Sequence, residues 1–387
     1  MKKIIIVNNN LDVGGVQTSL VNLIREISDL YDVTLLLFHK NDECAYSLPD
    51  GVKVLTVKSP FKYLGMSAAE SKKKTSTRIG RLFWAIITKI FGRSFTVSLM
   101  SLFQRKLSGY DCAISYLHEA GQKIFYGGCN EFVLKNIKAE KKITWLHCDF
   151  ALCGANSKRS KRIYESFDKI VACSEGAKRS FVGCIPELEE RCVAIRNCNG
   201  YEAIKRNAEP AEKYNDGVLN VVTVARLSAE KGIDRMLRAV AAAKRAGYAI
   251  NYHIVGSGIE EANLRALTLE LGLESEVLFY GNRNNPYPYI VGADLFVLPS
   301  YHEAAPMVFD EAACLGVPVL ATRTTSTDEM IIEARAGYVC ENSQSGITEA
   351  FLGILSNYNQ LKKISDELKE RRFENSKSVK AFCGVIE

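Results

Sequence analysis

Short runs of β-branched and other apolar residues alternate with amphipathic stretches along the whole chain. In the first half, period and composition predict strands at Lys3–Val7, Val33–Phe38, Val52–Val57, Cys112–Tyr116, Ile143–His147, Lys169–Cys173 and Val193–Arg196. In the second half they predict Leu219–Ala225, Ile250–Val255, Val277–Tyr280, Leu295–Pro299, Val317–Ala321 and Tyr338–Cys340. Helical spacing falls between them, near Glu230–Ala246, Ile259–Leu271, Pro306–Leu315 and Gln344–Leu355, with a charged terminal helix around Asn359–Arg372. Strands separated by helices imply parallel sheets with crossover connections.

A polar, turn-rich stretch between Asn197 and Gly217 interrupts the alternation and reads as a linker. The fold class is therefore α/β, with two Rossmann-like doubly wound domains facing across a cleft. Residues 1–197 form the N-terminal domain, 198–217 the linker and 218–358 the C-terminal domain. Residues 359–387 are a helix and tail expected to pack back on the first domain. At 387 residues and 47% apolar content, each half has enough material for its own core.

The twelve cysteines mostly lie inside apolar runs and lack framework or finger spacing, so they read as reduced core residues, and no metal site is expected. The apolar run after Met1 is too short for a signal peptide, which points to a cytoplasmic protein. The formal net charge of +6 is modest, and no nucleic-acid partner is expected. Its distribution is uneven. Between Lys58 and Lys106 eleven lysines and arginines face the single acid Glu70, a local balance of +10. Aromatic and aliphatic residues interleave with these charges, the pattern of a helix seated on the anionic inner face of a membrane. The alternative is an ordinary helix that buries Leu82, Trp84, Ile86 and Ile87.

The segment Ala293–Thr322 carries the densest chemistry. Glu303 falls in the loop after a strand, and Glu311 lies in the following helix, which Pro306 suits as first residue. The free amides of Met307 and Val308 can then donate to a diphosphate at the positive helix end. Glu311 can chelate two neighbouring ribose hydroxyls, and Glu303 can hold a transferred sugar. By spacing alone Glu303 also reads as a loop acid and Glu311 as an exposed helix residue. Arg226 and Lys231 sit at another strand-to-helix crossing, where two cations can neutralise a departing nucleoside diphosphate without a metal. A pair of surface cations would look the same.

Gly14 and Gly15 end the loop Asn8–Gly15, where glycine allows close ligand approach and unusual dihedrals, although an ordinary turn explains them equally. His147 closes a strand in the first half, followed at the next crossing by Ser174 and Glu175. Gly256 and Gly258 end a strand in the second and serve either a nucleotide or the turn alone. The loop after the first strand lacks G-x-G-x-x-G, which speaks against a dinucleotide enzyme.

These residues resemble the retaining glycosyltransferases of family 4, also called glycosyl transferases group 1, which have the GT-B fold. The matching text is GGVQTSLVNLI, WLHCDF, IVACSE, VARLSAEKGIDRML, HIVGSG and PSYHEAAPMVFDEAACLGVPVLAT. The resemblance implies that Arg226 and Lys231 bind the donor diphosphate, Glu311 the ribose and Glu303 the sugar. Gly14, Gly15 and His147 then close the reaction centre from the other domain. It also implies retention of configuration, no divalent metal and no cofactor beyond the nucleotide diphosphate sugar donor. Ala304 and Ala305 depart from the family's glycine and apolar residue, and Asn197–Gly200 from its Asn-Pro-x-Asp. Pro306, Met307, Thr325, Ser326, Thr327 and Glu329 resemble members that build bacterial surface polysaccharides, such as capsule and lipopolysaccharide, which implies a lipid-linked saccharide acceptor. A sugar-nucleotide-binding regulatory protein, or an epimerase on the same scaffold, is the competing class.

Overall fold

The structure is a computed structural model that describes residues 1–12, 14–40, 46–215 and 217–387. The chain divides into two compact units, Met1–Cys198 with Asn375–Glu387, and Asn199–Glu374.

In the first unit seven strands, β1 (Lys3–Asn8), β2 (Asp32–Leu37), β3 (Lys53–Thr56), β4 (Leu107–Ser115), β5 (Ile137–Leu146), β6 (Lys169–Ala172) and β7 (Cys192–Ala194), form one parallel sheet in the order β3-β2-β1-β4-β5-β6-β7. Alternate residues of β1 explain why helices cover both faces. Ile4 and Ile6 pack with the Gly15–Ile27 helix and the C-terminal Ser376–Ile386 helix, whereas Ile5 and Val7 pack with Phe38, Phe61 and Phe132. Truncating such a residue to alanine costs on the order of 2–5 kcal/mol.

The second unit repeats the plan with six strands, β8 (Leu219–Val224), β9 (Ile250–Val255), β10 (Val277–Gly281), β11 (Leu295–Leu298), β12 (Val319–Thr322) and β13 (Gly337–Cys340), in the order β10-β9-β8-β11-β12-β13. Val221 and Leu295 face one core, Val222 and Phe296 the other. In both sheets the order reverses at the first strand, between β1 and β4 and between β8 and β11. Such switch points open a crevice at the carboxyl ends of the strands.

Three boundaries differ from expectation. The linker read at 198–217 contains a helix, Tyr201–Asn207, because Ile204 and Ala208 bury themselves in the second unit's core. The change of unit falls between Cys198, whose carbonyl accepts from Asn22, and Asn199, whose amide donates to Asp310. The terminal helix Tyr358–Lys369 stays with the second unit through Leu361 and Leu368. Only Ser376–Ile386 packs on the first unit, where Phe382 contacts the Tyr31 and Trp145 rings and Lys2 and Lys141 donate to the last carbonyls.

The basic stretch also differs in part. Arg93 is wholly buried between Glu119 and Glu131 and adds nothing to a surface charge. The helix Thr75–Phe91 buries Trp84 but turns Leu82 (58% exposed) and Ile86 (49%) outward, with Ile79, Phe83 and Ile90 on the same side. The alternative in which Leu82 and Ile86 are core residues does not hold. Among the described residues no helix is long and apolar enough to cross a membrane. None of the described cysteines forms a disulfide, and most are buried.

Candidate functional site

The second unit gathers its candidates at the carboxyl ends of β8, β9 and β11. Past β8 the chain makes a short turn, Ala229–Lys231, which ends at Gly232 with φ of 61°. A side chain at Gly232 would bring its Cβ to 2.2 Å from the Pro299 carbonyl oxygen, so glycine alone lets the β8 loop lie against the end of β11. The Tyr301 amide donates to the Glu230 carbonyl at 2.8 Å, which locks the two loops together.

Lys231 therefore projects beside the loop that carries Glu303. Its Nζ lies 2.5 Å from Glu303 Oε1, and the same oxygen accepts from Ser300 Oγ at 2.7 Å. Both charged side chains remain partly solvent-accessible, which leaves room for a ligand to share them. Ser300 is buried, and its carbonyl accepts from Thr322 Oγ1 at 2.5 Å. Arg235, also buried, donates to the Pro299 carbonyl and to Asn342, and stacks 3.8 Å from the Tyr301 ring centroid. Ser326 Oγ donates to the Ala304 carbonyl. The glutamate loop is thus held from three sides. Arg226 stands exposed just past β8, close enough that its charge, with that of Lys231, helps Ser228 hold the Glu230 carboxyl below the usual range.

The Met307–Cys314 helix follows that loop. Pro306 occupies its N-cap rather than the first helical position expected, and Met307 begins the helix. The amides of Met307 and Val308 have no carbonyl one turn behind them and sit at the positive end of the helix dipole. Glu311 lies in the next turn. It is half-buried rather than exposed, and burial, assisted by neighbouring Asp310, pushes its pKa up to about 7.

Gly256 and Gly258 have a defined steric task. A Cβ would lie 1.9 Å from the Ala225 carbonyl oxygen at Gly256 and 2.1 Å from that of Leu227 at Gly258. The amide of Leu227 donates to Ser257 across this contact at 2.9 Å. The glycines bring the β9 loop onto the loop that presents Arg226.

In the first unit, His147 immediately follows β5, with its ring 4.7 Å from Tyr116. Burial and the nearby His118 lower its pKa to about 3, so it is a neutral imidazole at physiological pH. Its Nε2, His118 Nδ1 and Asn8 Oδ1 are buried atoms without a hydrogen-bond partner. Sequence reasoning missed His118, which lies just past β4 as His147 lies just past β5. Ser174 caps the Glu175–Cys184 helix by accepting from Ala177.

Gly14 and Gly15 do not adopt the unusual dihedrals expected of them. Gly14 caps its helix in extended backbone, and a Cβ on Gly15 would meet nothing within 4 Å. Val13 of the same loop lies outside the described residues.

Residues 205–371 match the family described as glycosyl transferases group 1. The chain is 29% identical over 220 residues to an uncharacterized glycosyltransferase of Haemophilus influenzae, a match covering 55% of this chain and 59% of that protein. It is 33% identical over 109 residues to the lipopolysaccharide glucosyltransferase WaaG of Escherichia coli, covering 28% of this chain and 29% of WaaG. The match thus spans less than two thirds of either relative's length. Among solved structures, Anabaena HepE in complex with UDP superposes with a TM-score of 0.68 over 99% of both chains at 15% identity. At that identity the likeness speaks for the fold, which is that of the GT-B glycosyltransferases.

Proposed function

We propose that this chain, whose residues 205–371 match the glycosyl transferases group 1, transfers a sugar from a nucleoside diphosphate sugar to a saccharide acceptor in the assembly of a bacterial surface polysaccharide. The observation that carries this reading is the Lys231–Glu303 pair, 2.5 Å apart, with Glu303 on the loop that runs into the Met307–Cys314 helix and its open first amides.

The donor diphosphate takes the helix amides and the charges of Arg226 and Lys231. Glu311 accepts from the ribose hydroxyls, and Glu303 from hydroxyls of the sugar. As the bond between the anomeric carbon and the phosphate oxygen breaks, its electron pair goes to the diphosphate, where the two cations stabilise the growing charge. The acceptor oxygen bonds to the anomeric carbon on the same face, and its proton passes to the leaving phosphate. Configuration is retained, and Arg226 and Lys231 do the work a divalent metal would do. Neutral His147 offers one donor and one acceptor to sugar hydroxyls. UDP bound to HepE makes uridine donors the first to test.

The acceptor is lipid-linked in this reading. Its support is the outward apolar side of Thr75–Phe91, flanked by exposed Lys72, Lys73, Lys74, Arg78 and Lys89, a combination suited to the anionic inner face of the cell membrane.

A thermal-shift screen of nucleotide sugars tests the donor half. One nucleoside diphosphate sugar should raise the melting temperature above its parent nucleoside monophosphate. A flat response to every donor would remove the basis of the proposal.

A further inference from the structure

The helix Thr75–Phe91 has one cation that does not face outward with its apolar residues. Arg81 lines a cavity of about 350 Å³ together with Asn10, Asp12, Gln17, Phe125 and Tyr126. Its Nε donates to the Met66 carbonyl at 3.3 Å, and its guanidinium lies 5.5 Å from the Phe125 ring centroid. Those contacts fix its plane and use one of five N–H donors. Among the described residues no carboxylate pairs with it, and burial alone draws its pKa down. A partly desolvated, unpaired guanidinium is costly, and an oxyanion with matching fork geometry offsets that cost.

We propose that this cavity binds the phosphate group of a lipid-linked sugar, with the guanidinium of Arg81 as the anion's partner. The inference rests on the transferase reading above and names the chemistry of its acceptor. Asp12, an acid in the same cavity, repels a second anion and suits hydroxyl donors, so the sugar lies on its side and the phosphate on that of Arg81. Met66, Phe125 and Tyr126 line the same cavity and give the lipid chain an apolar wall beside the guanidinium.

The test is calorimetric titration of the full chain with three probes below any micellar concentration: octyl phosphate, octyl glucoside and glucose 1-phosphate. Octyl phosphate should bind most tightly, and Arg81→Gln should weaken it about tenfold or more, the scale of a lost charge-assisted hydrogen bond. Arg81→Lys, which keeps the charge, should lose less, and octyl glucoside should not distinguish Arg81→Gln from the parent. Equal octyl phosphate affinity in parent and Arg81→Gln overturns the site. Glucose 1-phosphate binding as tightly as octyl phosphate overturns the lipid-linked source. UDP titrated into the same samples separates the two readings. If UDP binds while octyl phosphate ignores Arg81, only this inference falls; if UDP does not bind, the transferase reading falls.

Discussion

Lys231 and Glu303 are 72 positions apart in sequence, yet their side chains meet at 2.5 Å because Gly232 lets the β8 loop rest on the Pro299 carbonyl. The cation is thereby held in place before any ligand arrives, which is the condition under which a charge stabilises a transition state most effectively.

Removing that cation should therefore reduce turnover. Lys231→Ala and Arg226→Ala are each expected to lower kcat by on the order of 100-fold, the scale of one lost preorganised group. Steady-state kinetics with a saturating donor provide the check. Near-normal kcat in both variants would falsify their role.

Glu311 should impose a pH dependence on donor binding. Its carboxyl has a pKa of about 7 because burial disfavours the charged form. Ribose hydroxyls donate to the carboxylate, so binding favours ionisation, and donor affinity should weaken as pH falls below about 7, approaching tenfold per unit. Since the folded value exceeds the ordinary carboxylate range, the same group also makes folding less favourable as pH rises from that range toward 7. Glu311→Gln should flatten both dependences, and Glu311→Ala should chiefly raise the donor KM. A pH profile of donor Kd unaltered by Glu311→Gln would exclude this assignment.

Most of the thirteen strands were legible because buried parallel strands read as apolar runs, as Lys3–Asn8 and Leu295–Leu298 do. The Lys231 and Glu303 candidates were legible for a related reason, since each lies in the connection that leaves such a run. What was not legible depends on partners remote in sequence. Arg93 looks like a surface cation until Glu119 and Glu131 surround it. The Tyr201–Asn207 helix has Ile204 as its only well-buried anchor, too little for a periodic signal. An amphipathic pattern also does not say which way it faces, and the Thr75–Phe91 helix turns its apolar stripe outward. The raised pKa of Glu311 arises from packing that its helical spacing does not reveal.

Gly258 of the β9 loop and Gly15 after β1 should behave oppositely. Gly258→Ala places a methyl carbon 2.1 Å from the Leu227 carbonyl, and a loss of roughly 1–3 kcal/mol in denaturant unfolding is expected from the forced shift. Unchanged stability would mean that the two loops are not held at that distance.

Gly15→Ala adds its methyl to open space and should leave stability unchanged or raise it by about 0.4–1 kcal/mol. If a ligand approaches this backbone, kcat/KM should nevertheless fall. Full activity together with normal stability would remove Gly15 from the reaction centre.

Membrane seating should depend on both charge and apolar area. Replacing Lys72, Lys73 and Lys74 with glutamine removes roughly 1 kcal/mol of attraction per residue near an anionic bilayer. Co-sedimentation with phosphatidylglycerol vesicles should drop for that variant, and also for one carrying serine at Leu82, Phe83 and Ile86. Sedimentation indifferent to both sets of changes would contradict the proposed seating.

The central claim is that the β8 and β11 loops of the second unit form a diphosphate site around Lys231. Calorimetric titration of UDP into the parent protein and into Lys231→Ala tests it most directly. The account predicts measurable binding to the parent and at least about tenfold weaker binding to the variant. Equal affinity in the two proteins, or none in the parent, would contradict it.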